Sequence, residues 1–156
     1  MDETAKILII DDDENIRKAL SAVLEDEGYI VETVDTAKKG MEKTETCFFN
    51  LALIDVRLPD MEGVDLLQKL RETNPKLRKI IITGYPTLQN AVAAVNRGAD
   101  AYIMKPFDVE KMLQTIKEQL QKQNEERKYN EKKVAEFIET RVKELETQEH
   151  FAKGHA

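Results

Sequence analysis

Five side chains carry the chemistry this sequence can offer: the carboxylates of Asp11, Asp12 and Asp55, the hydroxyl of Thr83 and the ammonium of Lys105. They stand at the ends of short apolar runs, ILII before Asp11, LALI before Asp55, III before Thr83 and AYIM before Lys105. Three carboxylates within a few ångströms repel and raise one another's pKa. They stay ionised when a cation sits among them. A hard, oxygen-ligated, octahedral Mg²⁺, bound through a few carboxylates with several waters retained, fits that donor set best. Zinc and metal–thiolate sites are excluded, because the chain has one cysteine, Cys47, and its histidines, His150 and His155, lie in the tail. Lys105 adds a second positive charge and Thr83 a hydroxyl donor. A carboxylate nucleophile, a divalent metal, a lysine and a threonine are the parts that stabilise a phosphoryl group in transfer.

These residues meet only if the runs that precede them are parallel strands. Leu51–Ile54 is wholly apolar and bounded by turn residues, with Pro59, Asp60 and Gly63 after it, so it reads as a strand buried on both faces. Lys6–Ile10 is the first strand, and a helix with Ile16, Leu20, Val23 and Leu24 at helical spacing follows and stops at Gly28. Ile30–Val34 is the second strand, and the second helix runs from about Thr36 to Glu45. After the strand that ends at Asp55, Val64, Leu67 and Leu70 predict a third helix, ended by Asn74-Pro75. Lys79–Ile82 is the fourth strand. Pro86-Thr87 opens a fourth helix with Leu88, Val92, Val95 and Ala99 along one face. Ala101–Met104 is the fifth strand, and Asp108 caps a last helix carrying Val109, Met112, Leu113, Ile116 and Leu120. Five strand–helix alternations predict a doubly wound, five-stranded parallel sheet with helices on both faces. Asp11, Asp12, Asp55, Thr83 and Lys105 then share the edge where such sheets bind ligands.

At 156 residues the chain suits one domain with an extension. No apolar stretch approaches the length of a membrane span, and MDETAKILII lacks the pattern of a signal peptide, so a cytosolic protein is the default. The net charge of −6 lies wholly in the first 120 residues, since residues 121–156 hold eight Lys/Arg and eight Asp/Glu. No basic patch points to nucleic acid, which argues against direct binding. Gln121–Lys133 is polar apart from Tyr129, and apolar residues return at Val134, Phe137, Ile138, Val142 and Leu145. Val134, Ile138 and Leu145 fit a coiled-coil seam, but Arg141 interrupts it, and the pattern falls short of the roughly three or four heptads wanted. For residues 121–150 a solvated helix and a short dimerising coiled coil both stand. Residues 151–156 read as a disordered tail.

The segments ILIIDDD, LIDVRLPDMEG, IITG and YIMKPF, in this order and spacing, resemble the receiver domain of response regulators in two-component signalling, across residues 4–120. The resemblance implies a flavodoxin-like sheet in strand order 2-1-3-4-5, and the stretch after Leu120, with no Gly or Pro through Lys133 to break a helix, extends the last helix past it. Asp55 would be the phosphoacceptor. Asp12, Asp55 and the backbone carbonyl of Arg57 would bind Mg²⁺, with Asp11 acting largely through water. Thr83 and Lys105 would contact the phosphoryl oxygens, Tyr102 would be an aromatic switch, and the Lys105-Pro106 bond would be cis. The implied function is a cytoplasmic phosphoprotein and not a conventional enzyme. Its partners would be a sensor histidine kinase or phosphotransfer protein, a downstream protein effector and a second copy in a homodimer, with neither nucleic acid nor membrane touched directly. The YPTLQNAV…NRGADAYIMKPF half is similar to receivers of the nitrogen-regulation activator type, which precede ATPase or other effector domains. The chain is therefore read either as a stand-alone regulator or as a receiver cut within its linker helix. Glu62 stands where Asp or Asn is usual, and Gly84 where alanine is common. Arg57 and Tyr85, each two residues past a site residue, are expected to shield an acyl phosphate from water and slow its loss. Asp13 is read as a helix cap, and Asp60 and Glu62 as loop residues in water. Two rivals differ in class. A metal-dependent phosphohydrolase would want a second carboxylate where Arg57 stands. A coiled-coil adaptor would keep the receiver-like domain only as structure.

Overall fold

The computed structural model describes residues 4–84 and 87–154. Five strands, β1 (Lys6–Ile10), β2 (Ile30–Val34), β3 (Leu51–Asp55), β4 (Arg78–Thr83) and β5 (Ala101–Met104), alternate with helices. The helices are α1 (Glu14–Asp26), α2 (Ala37–Thr46), α3 (Gly63–Leu66), α4 (Leu88–Asn96) and α5 (Val109–Gly154). The strands form one parallel sheet in the order β2-β1-β3-β4-β5. β3 lies at the centre and is buried at all five residues, as an uninterrupted apolar run requires. The outer strands β2 and β5 are partly exposed.

Side chains alternate along each strand between two cores. Leu8, Ile10, Ala52, Ile54 and Ile81 pack with Ala37, Val64, Leu66 and Ala94, on the face covered by α2, α3 and α4. Ile7, Ile9, Leu51, Leu53, Ile80 and Ile82 pack with Leu20 and Leu24 of α1 and with Met112 and Ile116 of α5. Local signals set where helices begin. The Asp13 carboxylate accepts from the amides of Asn15 and Ile16, and the Thr36 hydroxyl accepts from Lys39. The Lys105-Pro106 bond is cis, as the resemblance implied.

Three elements add to the sequence reading or depart from it. The third helix is a single turn; the Leu67 carbonyl accepts from Lys79 Nζ at 2.6 Å, and Leu67, Leu70 and Leu77 are buried from irregular backbone. In α4 the apolar face points outward, with Leu88 81% and Val95 66% exposed, because the small Ala94 is the residue set against the core. α5 runs on to Gly154, so residues 151–154 are helical where disorder was expected, and only His155 and Ala156 of that tail lie outside the described residues. The chain divides into two units. The first extends to Gln123, whose side chain donates to the carbonyls of Asn50 and Lys76, both at 2.8 Å, and accepts from the Asn50 amide at 3.0 Å. The second, from Asn124, is helical, with Tyr129, Val134, Phe137, Ile138, Val142 and Leu145 exposed along it. Among the described residues no helix is long and apolar enough to cross a membrane.

Candidate functional site

Strand register decides which side chains meet. Ile10 pairs with Ile54, Asp55 with Ile82, and Thr83 with Met104, so β1, β3, β4 and β5 end together at one edge. Residues that follow those ends are delivered to the same place. Asp11 is 1% exposed, and its Oδ1 accepts from the Asp13 amide at 2.9 Å. Lys105 Nζ lies 3.2 Å from Asp11 Oδ2 and 3.6 Å from Asp55 Oδ1. One carboxylate oxygen from each of Asp11, Asp12 and Asp55 falls within 4.8 Å of the others, with Asp12 on the exposed side. Lys105 is tied to β4 through its amide, which donates to the Thr83 carbonyl at 2.7 Å.

The electrostatics of this cluster are unbalanced. Burial, and then the Asp11 charge, raise the Asp55 carboxyl from 3.8 to about 6. Lys105, a hydrogen bond from the Arg57 amide and Asp12 act on it to a lesser degree, the first two lowering it and the last raising it. Three carboxylates face one ammonium. Ionising all three leaves negative charge that a divalent cation would neutralise, and the donors are all oxygen. The residues present therefore fit Mg²⁺, with Asp11, Asp12 and Asp55 as the side chains able to hold it.

The loop after Asp55 is a small hairpin. Leu58 N donates to Met61 O at 3.2 Å, and Gly63 N to Val56 O at 2.8 Å, with Arg57 opposite Glu62. These closing bonds use neither the amide nor the carbonyl of Arg57, and its amide turns instead to the Asp55 carboxylate. Gly63 lies against the backbone of Asp55, where a Cβ would stand 2.9 Å from the Asp55 carbonyl carbon, so glycine is required by close approach.

Of the residues singled out in the sequence, Asp11, Asp12, Asp55 and Lys105 converge. Thr83 is fully buried at the end of β4 and joined to Lys105 through its backbone. Tyr102 is placed differently: it packs on the core beneath α2, α3 and α4, and its buried hydroxyl has no hydrogen-bond partner among the described residues. Tyr85 lies outside the described residues. Asp13 caps α1 as expected. Asp60 is an exposed loop residue, as expected, but it is also tethered: its two oxygens accept from the amides of Ala37 and Lys38, each at 2.9 Å. Arg17 was missed altogether; its guanidinium donates to the Asp11 carbonyl at 2.8 Å. Only its place one helical turn after the acidic residues could have drawn attention to it.

Comparison with known proteins agrees with this geometry. Residues 7–117 match the response regulator receiver domain family. The crystal structure of a CheY-like response regulator receiver domain protein from Methanospirillum hungatei JF-1 is 49% identical, covers 80% of this chain and 99% of its own, and superposes with a TM-score of 0.75. The solution structure of the beryllofluoride-activated NtrC4 receiver domain dimer is 37% identical over 76% of this chain and 98% of its own, with a TM-score of 0.71. The response regulator ArlR of Staphylococcus saprophyticus is 36% identical over 118 residues, 76% of this chain but 53% of the relative. The chain thus spans about half the length of that relative. A doubly wound sheet in the order 2-1-3-4-5, three carboxylates and a lysine at its C-terminal edge, and these similarities lead to one conclusion: the chain belongs to the response regulator receiver domain family.

Proposed function

We propose that this receiver is a phosphorylation-controlled switch in which Asp55 accepts a phosphoryl group from a histidine kinase or phosphotransfer protein. The observation that carries the reading is the convergence of Asp11, Asp12 and Asp55 on Lys105 at one sheet edge. An Asp55 oxygen attacks the phosphorus as the bond to the donor imidazole nitrogen breaks. Lys105 and the Thr83 hydroxyl receive the phosphoryl oxygens. Asp12, Asp55 and the Arg57 carbonyl would hold Mg²⁺, with Asp11 acting through water; bound there, the ion neutralises charge on the transferring group. Near neutral pH the Asp55 carboxyl, raised to about 6, is mostly ionised and able to attack.

The acyl phosphate adds negative charge and acceptor oxygens, which draw the Thr83 hydroxyl inward. Tyr102, whose buried hydroxyl has no hydrogen-bond partner among the described residues, is the residue whose preference for a rotamer such a movement would change. Output passes through protein contacts. Leu88, Val92 and Val95 of α4 and Met104 of β5 are exposed apolar residues suited to a downstream effector or to a second copy. The NtrC4 receiver, similar in sequence and fold, was solved as a dimer. The reading places the protein in the cytoplasm, with its phosphodonors and Mg²⁺. An adaptor with a merely structural receiver is disfavoured, because it gives no reason to bury like charges together.

The test is incubation with Mg²⁺ and acetyl phosphate, followed by intact mass and sedimentation velocity. A single phosphate adduct, lost in Asp55→Asn and in the presence of EDTA, is expected. An adduct that persists in Asp55→Asn would overturn the assignment.

A further inference from the structure

We infer that Asp60 is a positioning residue for the phosphoacceptor site: it ties the tip of the hairpin after Asp55 to the first turn of α2. The inference rests on reading the acidic edge as a Mg²⁺ and phosphoryl site. Asp60 Oδ1 accepts from Ala37 N and Oδ2 from Lys38 N, both at 2.9 Å and 22–23 residues away in sequence. With Thr36 taking Lys39 N, the first three amides of α2 are satisfied, two of them by a carboxylate from another loop. Those two bonds, reinforced by the positive end of the helix, hold the Asp60 carboxyl below its ordinary value.

What is joined matters more than the cap. On one side, the hairpin 56–63 begins next to Asp55, carries the Arg57 amide that binds the Asp55 carboxylate, and ends at Gly63 against the Asp55 backbone. On the other, α2 sits on the end of β1: Gly40 lies directly against the side chain of Ile10, the residue before Asp11. Asp60 therefore closes a polar link between the strand end that supplies Asp11 and Asp12 and the loop that follows Asp55. Leu58 and Met61 pack on the core on either side of the tip, so the hairpin keeps its shape without Asp60. The carboxylate fixes where that shape lies relative to α2. A metal site built from oxygens on two elements loses affinity when one element drifts, much as loss of outer partners weakens other metal sites.

Asp60→Ala, Asp60→Asn and the control Thr36→Ala separate this role from simple helix capping. Mg²⁺ would be titrated into each protein and followed by amide NMR, and the rate of phosphorylation by acetyl phosphate measured at low and high Mg²⁺. Asp60→Ala is expected to raise the Mg²⁺ dissociation constant about tenfold. It should also slow phosphorylation at low Mg²⁺, with the rate recovered at high Mg²⁺. Asp60→Asn, which keeps one acceptor oxygen for one amide, should fall between Asp60→Ala and the parent. Thr36→Ala removes a cap from the same helix and should leave Mg²⁺ affinity within about twofold. Unchanged affinity in Asp60→Ala, or an equal loss in Thr36→Ala, overturns the positioning role while the site itself stands. A parent protein that binds no Mg²⁺ overturns the site reading, and the tether with it.

Discussion

Asp55→Asn should make the metal-free protein more stable, and the gain should depend on pH. Asp55 is buried beside Asp11, and its carboxyl is raised from 3.8 to about 6. Between those values the folded chain binds more protons than the unfolded one, so this group's contribution to stability falls as pH rises. The penalty is absent below about 4 and complete above about 6 to 7. Taken at face value the displacement corresponds to about 3 kcal/mol. The exposed Asp12 side of the cluster admits water, which screens it to about 1–2 kcal/mol. For a unit of this size that is roughly 4–10 °C in melting temperature.

Thermal and urea unfolding in EDTA from pH 4.5 to 8 would measure this for both proteins. The acidic groups held low elsewhere, Glu32 by Lys6 and Lys43 despite its burial and Asp60 by the α2 amides, titrate alike in both and cancel in the difference. The parent should lose ground to Asp55→Asn from about pH 4.5 to 6, with the difference levelling off above about pH 6 to 7. Mg²⁺ should reverse the order, because an ion that binds only the folded parent stabilises it by about 2.7 kcal/mol at a hundred times its dissociation constant. Parallel pH profiles in EDTA would refute the account of Asp55 as a carboxylate held against its preference.

Two further substitutions probe how the fold carries the site. Gly63→Ala places a methyl against the Asp55 backbone, so it should destabilise by about 1–3 kcal/mol and slow acetyl phosphate labelling; native stability and labelling together would show that the loop yields freely. Gln123→Ala removes the side-chain donor of the Asn50 and Lys76 carbonyls, the first of which keeps the Arg78 amide, and should cost about 1–3 kcal/mol in urea unfolding, with labelling of Asp55 unchanged.

The sheet and the acidic edge were legible because each strand is an apolar run with a chemically distinct residue at its end. Once the strands are parallel, Asp11, Asp55, Thr83 and Lys105 have nowhere else to go. What could not be read depended on partners distant in sequence. Val64, Leu67 and Leu70 have a spacing that a helix would satisfy, yet Lys79 from the next strand takes the Leu67 carbonyl, and the turn ends there. Leu88, Val92 and Val95 have the periodicity of a buried face, but periodicity records only that a face is apolar. The alanine at 94 lets the opposite side approach the sheet and leaves those three outside. Asp60 looked like any turn residue after a proline, since the amides it binds belong to a helix 22 residues earlier.

The two cores and the acidic edge make opposite demands on the same strands. The alternate apolar residues of β1 and β3 carry their own stability, as Ile7–Ile10 and Leu51–Ile54 are all fully buried. The next residue in each strand direction, Asp11 or Asp55, is buried almost as deeply but carries like charge, opposed by the Lys105 ammonium. A rigid apolar layer beneath the edge prevents these carboxylates from relaxing apart. That same rigidity makes the edge responsive: a change of charge at Asp55 cannot be absorbed by the strands and must be taken up by what is attached above them. The attached parts are the hairpin held by Asp60, the end of β4 at Thr83 and the chain leading to Lys105. On the proposed reading, repulsion built into a stiff support is what would let one added phosphoryl group act as a signal rather than as a local distortion.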